Sequence, residues 1–294
     1  MIQVPPLFFD ILIGGISLGA LYALVALGLN LQYGVTRAVN IAHGEFLMLG
    51  AYITFYLSTL FGIDPFFSLV INGFVAFIFG YLIYIGILGR LLRLSKSIGE
   101  FENKSLLICF GLQFIIQNIA VVLWTANYTG PLLYASEPVN IGGVVFPLNR
   151  ILVAAISLCV NLILYIFLHS TNMGLCMRAA IDDSVGAQLV GIDVSRYYSF
   201  SFAFGLVLSA WTGSLLSLLY VITPFIGSPY TFIALIVIVL GGVGSLKGSL
   251  IGGMILGFAS YVTMRLIHSS LTLVVLYAIL VIMLLVRPKG LFRR

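Results

Sequence analysis

Phe66-Phe67-Ser68-Leu69-Val70-Ile71-Asn72-Gly73-Phe74-Val75-Ala76-Phe77-Ile78-Phe79-Gly80-Tyr81-Leu82-Ile83-Tyr84-Ile85-Gly86-Ile87-Leu88-Gly89 carries no charged side chain. The hydrocarbon core of a bilayer takes about 20 helical residues to cross, and this run exceeds that. Ile151–Leu168 is likewise uncharged and approaches the same length. The apolar residues run on rather than alternating with polar ones. Over the 294 residues, 61% are hydrophobic, 8% are charged and the mean hydropathy is +1.18. A soluble domain carries about 25% charged residues, and one built from this composition would turn a large apolar surface to water. The solvent is therefore lipid, and the expected fold is all-α, a polytopic transmembrane helical bundle.

Further apolar segments fall at 8–31, 41–61, 105–125, 197–220, 231–243, 248–267 and 271–286. Basic residues orient them. Arg90, Arg93, Lys96 and Lys104 crowd one connection, Arg178 and Arg196 another, and Arg287, Lys289, Arg293 and Arg294 the tail, whereas 126–149 has no Lys or Arg. Basic loops stay on the cytoplasmic side, which puts 126–149 outside. Nine crossings fit, with the N-terminus out and the C-terminus in; eight fit if one early segment only dips into the membrane. The net charge of +5 belongs to this asymmetry rather than to nucleic acid. Met1–Asp10 lacks the basic start of a cleavable signal, so the first helix is expected to stay inserted. The chain reads as a single domain, 1–294. In the outer connection, Val139–Ile141 and Val144–Phe146 flank Gly142-Gly143, a sequence suited to a tight hairpin.

The cytoplasmic loop at 169–196 carries apolar residues every four positions, at Met177, Ile181, Val185 and Leu189, with Arg178 and Asp182 one turn apart off that stripe. This is the pattern of a short amphipathic helix. A membrane-surface helix usually has a basic polar face; here it is mixed and locally acidic, which favours a protein partner. Packing on the chain's own bundle is the plainer alternative.

Gly241-Gly242-Val243-Gly244-Ser245-Leu246-Lys247-Gly248-Ser249-Leu250-Ile251-Gly252-Gly253 is not a phosphate loop, because Lys247-Gly248-Ser249 reverses the order that motif needs. If the run continues as helix, Gly244, Gly248 and Gly252 form one small-residue ridge and Ser245, Ser249, Gly253 and Gly257 another. Such ridges let helix backbones approach closely in lipid. A direct lining of a pathway through the bundle by Gly241, Gly242 and Gly244 is the alternative. The third polar stretch, Asn40-Ile41-Ala42-His43-Gly44-Glu45-Phe46, opens the second segment. A carboxylate at bilayer depth costs about 2.5–3.5 kcal/mol, so Glu45 needs water or a partner. With Arg37 near the headgroups, Glu45 is expected about two turns in, as part of an interfacial cap. The alternative makes Asn40, His43 and Glu45 part of a gate or pathway. His43 and Glu45 are two apart and do not face each other on a helix.

No nucleophile–base pair, no metal-ligand spacing and no nucleotide-binding loop is present, so neither enzyme chemistry nor a cofactor or metal is expected. Cys109, Cys159 and Cys176 are far apart and read as free thiols.

These stretches together resemble the branched-chain amino acid permease family of bacterial ABC importers. The resemblance rests on Gly34-Val35 with Asn40–Phe46, Gly111–Asn118, Arg178-Ala179-Ala180 with Ala187, Leu189 and Gly191-Ile192, Gly241–Ser245, and Arg287-Pro288-Lys289-Gly290-Leu291-Phe292. A departure from the family pattern appears at Leu91–Lys104, with a longer polar, mixed-charge loop. The resemblance implies a multi-pass inner-membrane subunit paired with a second homologous permease, two cytoplasmic ATPase subunits and a periplasmic substrate-binding protein. It makes 169–196 the element that receives ATPase movement, through Met177, Arg178, Ile181, Asp182, Val185, Leu189 and Gly191. Its implied cargo is a branched-chain or other amino acid, with urea or a short amide as the alternative within the family. An ion-coupled secondary transporter is the competing class; it would place ionisable residues near the bilayer midplane.

Overall fold

The computed structural model describes residues 6–125, 129–141, 143–287 and 290–292. Met1–Pro5, 126–128, Gly142, Pro288, Lys289, Arg293 and Arg294 thus lie outside the described residues. The chain is overwhelmingly helical: α1 (Pro6–Thr36), α2 (His43–Phe61), α3 (Pro65–Ile83), α4 (Gly89–Leu94), α5 (Ile98–Trp124), α6 (Leu148–Ser170), α7 (Asn172–Asp182), α8 (Ser184–Leu189), α9 (Val194–Leu216), α10 (Gly227–Gly241), α11 (Leu246–Leu266) and α12 (Thr272–Val286). A π-helical turn at Tyr84–Leu88 joins α3 to α4, and β1 (Pro138–Ile141) pairs antiparallel with β2 (Val144–Pro147). That ribbon is the hairpin expected around Gly142-Gly143. Among the described residues, eight helical stretches are long and apolar enough to cross a membrane. The ninth apolar helix, α10, has 15 residues, about 22 Å of helix against a hydrocarbon core of about 30 Å.

Two helices form the centre. α1 and α9 are buried along most of their length, whereas α12 buries only Leu276. Contacts along α1 fix its sense against α11. Asp10 pairs with Arg265 at 2.6 Å and accepts the Tyr261 hydroxyl at 2.9 Å, while Asn30, five turns on, donates to Ser249 Oγ at 2.7 Å and to the Ser245 carbonyl at 3.0 Å. The two helices are antiparallel. α3 is antiparallel to α9, with Gly73 against Trp211 and Gly80 against Ala203, whereas α2 runs parallel to α9 through Ser209–His43 and Gly213–Leu47 contacts. These senses match an alternating path through nine segments.

The bundle has two distinct ends. At one, Tyr134 donates to Asp64 at 2.6 Å, Thr129 bridges to Ile222, and Leu132 N–H donates to the Ser217 carbonyl at 2.8 Å. The start of α1 and the end of α11 lie at that end, with Arg150 and Arg265 as its cations. The other end gathers Arg37, Arg90, Arg93, Lys96, Lys104, Arg178, Arg196, Lys247 and Arg287. The tail closes it, where Leu291 N–H donates to the Leu240 carbonyl at 2.9 Å.

The glycine-rich run does not continue as one helix. α10 stops at Gly241, a turn follows with Gly242 at φ 97° and Gly244 at φ 80°, and Ser245 caps α11 by accepting the Gly248 N–H at 3.0 Å. These left-handed angles favour glycine. Gly244 is thereby removed from the expected ridge. Gly248 instead faces the backbone of Gly241, and Gly252 lies against Val237 and Leu240, so this ridge packs on α10. Gly253 and Gly257 face Ala23 and Gly19 of α1. One helix thus uses two small-residue ridges on two neighbours.

Candidate functional site

The Asn40–Phe46 stretch lies in the middle of the bundle rather than at its edge. Arg37, at φ 59°, ends α1. The chain then turns back alongside it, with Val39 N–H held by Ser105 Oγ at 3.1 Å and Ala38 N–H by Thr36 Oγ1 at 3.1 Å. This climb sets His43 beside the Val25 carbonyl, with Nε2 at 3.0 Å. Val25 is fifteen residues beyond Asp10, about 22 Å along α1. His43 and Glu45 are both 0% exposed. Glu45 therefore does not form the interfacial cap its distance from Arg37 implied, because the connection re-enters the bundle instead of running along its surface.

α10 starts at the same depth. Gly227 lies against the backbone of Gly44, and Gly44 N–H donates to Thr231 Oγ1 at 2.8 Å. Two helix N-termini, those of α2 and α10, so converge inside the bundle, each carrying a partial positive charge. A side chain at either glycine would overlap the other's backbone.

Around this junction the polar groups divide into two sets. Gln32 gathers the first: its Nε2 donates to the Phe202 carbonyl at 3.0 Å, and its Oε1 accepts Asn40 Nδ2 at 3.0 Å and faces His43 Nδ1 at 3.3 Å. Buried polar groups need such partners, and this set ties α1, α2 and α9 together. The second set comprises Glu45, Ser228 and Gln113. Ser228 Oγ donates to Glu45 Oε1 at 3.3 Å and accepts Gln113 Nε2 at 2.8 Å. His43 and Glu45 thus point into different sets, as their spacing required. Gly241, Gly242 and Gly244 lie at the far end of α10, remote from Glu45, so the residues expected to share a pathway are not brought together.

The Met177–Leu189 stripe is also divided. Asp183 breaks the expected single helix, accepting Val185 N–H at 3.0 Å to cap α8. Met177 is 0% exposed and belongs to the main core. Ile181 packs on Gly244, whereas Val185 and Leu189 are 66% and 84% exposed and Gly191, at φ 86°, is open. Arg178 donates to the His169 carbonyl at 3.3 Å, and with Asp182 it lines a cavity of about 200 Å³ against the Gly244–Lys247 turn. Asn30, Gln32, Ser228 and Thr231 were passed over by motif reading, and Gln113 entered only as part of the Gly111–Asn118 stretch, without a role. Their signal was an amide or hydroxyl inside an apolar run.

The family model described as branched-chain amino acid transport system / permease component matches residues 11–284. The chain belongs to this family. The permease is 32% identical to the high-affinity branched-chain amino acid transport system permease protein LivH of Escherichia coli K12, covering 98% of this chain and 96% of that one. It is 30% identical to BraD of Pseudomonas aeruginosa, a permease of the same description, over 96% and 95% of the two chains. A probable LivH of Methanocaldococcus jannaschii is 29% identical over 95% and 91%. In overall fold the permease is similar to PsaBC from Streptococcus pneumoniae in complex with Fab, at a TM-score of 0.53 and 15% identity, over 98% of this chain and 94% of that one. It is a polytopic transport permease subunit of the ABC type.

Proposed function

We propose that this permease forms half of an amino-acid pathway across a bacterial inner membrane, in a complex with a second homologous permease, two cytoplasmic ATPases that hydrolyse ATP, and a periplasmic binding protein that delivers cargo. The basic end of the bundle faces the cytoplasm, in keeping with the positive-inside rule. The domain is one unit, 1–294, and its 169–196 loop is the coupling element.

The observation that carries this reading is the pair of contacts made by that loop. α8 turns Val185 and Leu189 outward, where an ATPase groove can take them. α7 presses Ile181 on Gly244, in the turn between α10 and α11. Asn30 of α1 accepts the Gly244 N–H at 2.7 Å. A displacement of α8 thus reaches α1, α10 and α11 through packed atoms. Met177, Ile181 and Arg178 hold the element to the bundle; Val185, Leu189 and Gly191 meet the partner. Gly241, Gly242 and Gly244 act here in coupling and packing, and Glu45 is the pathway residue.

Glu45 also gives the ion-coupled alternative its one foothold, since it is a carboxylate at mid-bundle depth. Likeness to LivH and BraD along nearly the whole chain favours the ATP-driven reading. Cargo is tested by calorimetric titration of the cognate binding protein with leucine, other amino acids and urea. Tight leucine binding is expected; tight urea binding without a leucine response would reassign the cargo to a short amide.

A further inference from the structure

Glu45, Ser228 and Gln113 come from α2, α10 and α5, and their hydrogen bonds run in one direction. Gln113 Nε2 donates to Ser228 Oγ, which donates to Glu45 Oε1. The Ser228 hydroxyl hydrogen and one of the two Gln113 amide hydrogens are used in this way. The two oxygens left over, Glu45 Oε2 and Gln113 Oε1, are buried, lack a hydrogen-bond partner among the described residues, and can only accept. A buried carboxylate is costly unless compensated. The converging N-termini of α2 and α10 supply part of that compensation, and an N–H-rich cation would supply the rest.

The same three residues adjoin a surface unsuited to lipid. α5 turns Leu112, Ile115, Ile116 and Ile119 into an apolar cavity of about 430 Å³ that it shares with α2 and α3. Its other face bears Gly111, Gln113, Gln117 and Asn118, together with Phe110 and Phe114. Asn118 and Gly111 are exposed and Ser228 is partly so. Asn118 returns one N–H to the Phe114 carbonyl at 2.8 Å, but the rest of its amide facing hydrocarbon is unfavourable, so this face belongs against water or protein. Of the polar chemistry on it, the open acceptor pair lies just beneath the surface at Ser228.

We propose that Glu45, with Ser228 and Gln113, is the point on the translocation path where the ammonium group of an amino-acid cargo is held. Ser228 orients the carboxylate, Gln113 orients Ser228, and the ammonium donates to Glu45 Oε2 and Gln113 Oε1. The Asn40–His43–Gln32 set also leaves one acceptor open, Asn40 Oδ1, but it holds no carboxylate, and its bonds to the Phe202 and Val25 carbonyls fasten it to α9 and α1; it positions the α2 N-terminus and does not meet cargo. This rests on the amino-acid reading above.

The test uses the complete importer in proteoliposomes, with Cys109, Cys159 and Cys176 replaced and one cysteine at Gln117, a turn from Gln113 on the same face. Reaction is timed with a trimethylammonium-ethyl and a sulfonatoethyl methanethiosulfonate. The cationic reagent should react faster by about tenfold, the lower range of electrostatic steering in a charged cleft. Glu45→Gln should bring the two rates to parity and raise KM for leucine uptake, whereas Glu45→Asp should keep the preference. Co-purification of the partner subunits verifies that each variant is assembled. If neither reagent reacts while a cysteine at Val185 does, this face is sealed and the proposal is overturned. Equal rates in the parent, or a preference that survives Glu45→Gln, would overturn it as well. Charge selectivity is read without cargo, so a complex that moves urea in place of leucine would refute the amino-acid reading separately.

Discussion

Gly241 and Gly248 meet backbone to backbone, so that a Cβ on either would overlap the peptide of the other. In lipid no hydrophobic force drives helices together, and association rests on such close packing. Gly248→Leu should therefore lower the stability of the purified complex by about 1–3 kcal/mol, the usual cost of overpacking, or abolish assembly. Thermal unfolding in detergent checks it. A variant as stable as the parent would mean that α10 and α11 separate at this point in the assembled importer.

Asn30 closes a second junction. It donates to Ser249 Oγ and the Ser245 carbonyl and accepts the Gly244 N–H. Asn30→Leu leaves the Gly244 N–H without its partner, at a cost of about 1–3 kcal/mol, while the Ser245 carbonyl keeps the Ser249 N–H at 3.0 Å. The expected outcome is a lower melting temperature together with weakened ATPase stimulation, because the same turn carries Ile181. Asn30→Asp keeps the acceptor alone and should fall between the two.

The coupling element separates into a holding part and a contacting part. Val185→Asp or Leu189→Asp changes an exposed side chain, so the permease should insert and fold normally yet lose ATPase co-purification, through an unpaired charge at the contact. Ile181→Ala should keep the ATPase bound but reduce uptake per ATP hydrolysed, since Ile181 meets Gly244 rather than the partner. Equal behaviour of the three variants would contradict this division.

Much of this was legible in the sequence. Long apolar runs located the eight helical stretches able to cross a bilayer among the described residues, the short run at 231–243 located α10, and the apolar triplets flanking Gly142-Gly143 located the ribbon. What escaped was decided by tertiary contacts. Glu45 was expected near the headgroups because eight residues separate it from Arg37, yet the intervening chain doubles back along α1, held by Thr36 at its start and by Gln32 and Ser105 from elsewhere in the fold. The apolar stripe from Met177 to Leu189 has unbroken helical spacing; Asp183 interrupts it by capping α8, which spacing does not register. Gly244 looked like part of a ridge because its spacing to Gly248 is four, whereas its positive φ makes it a turn residue. The families of motifs identified the transporter class, but the junction of α2 with α10 exists only in three dimensions.

The two ends of the bundle make the topology testable. Single cysteines at Asn140 and Lys96, in a background without the native thiols, should react with impermeant reagent from opposite faces of oriented vesicles. Labelling from one face would overturn the nine-segment path.

The central claim is that this permease works in an ATP-driven importer, and the most direct measurement is uptake by the reconstituted complex. With the paired permease, both ATPases and the binding protein in proteoliposomes, labelled leucine should accumulate when ATP is supplied on the ATPase side. Accumulation should be abolished when this chain is omitted and unchanged when proton and sodium gradients are collapsed. Uptake that needs a gradient and ignores ATP would contradict the account.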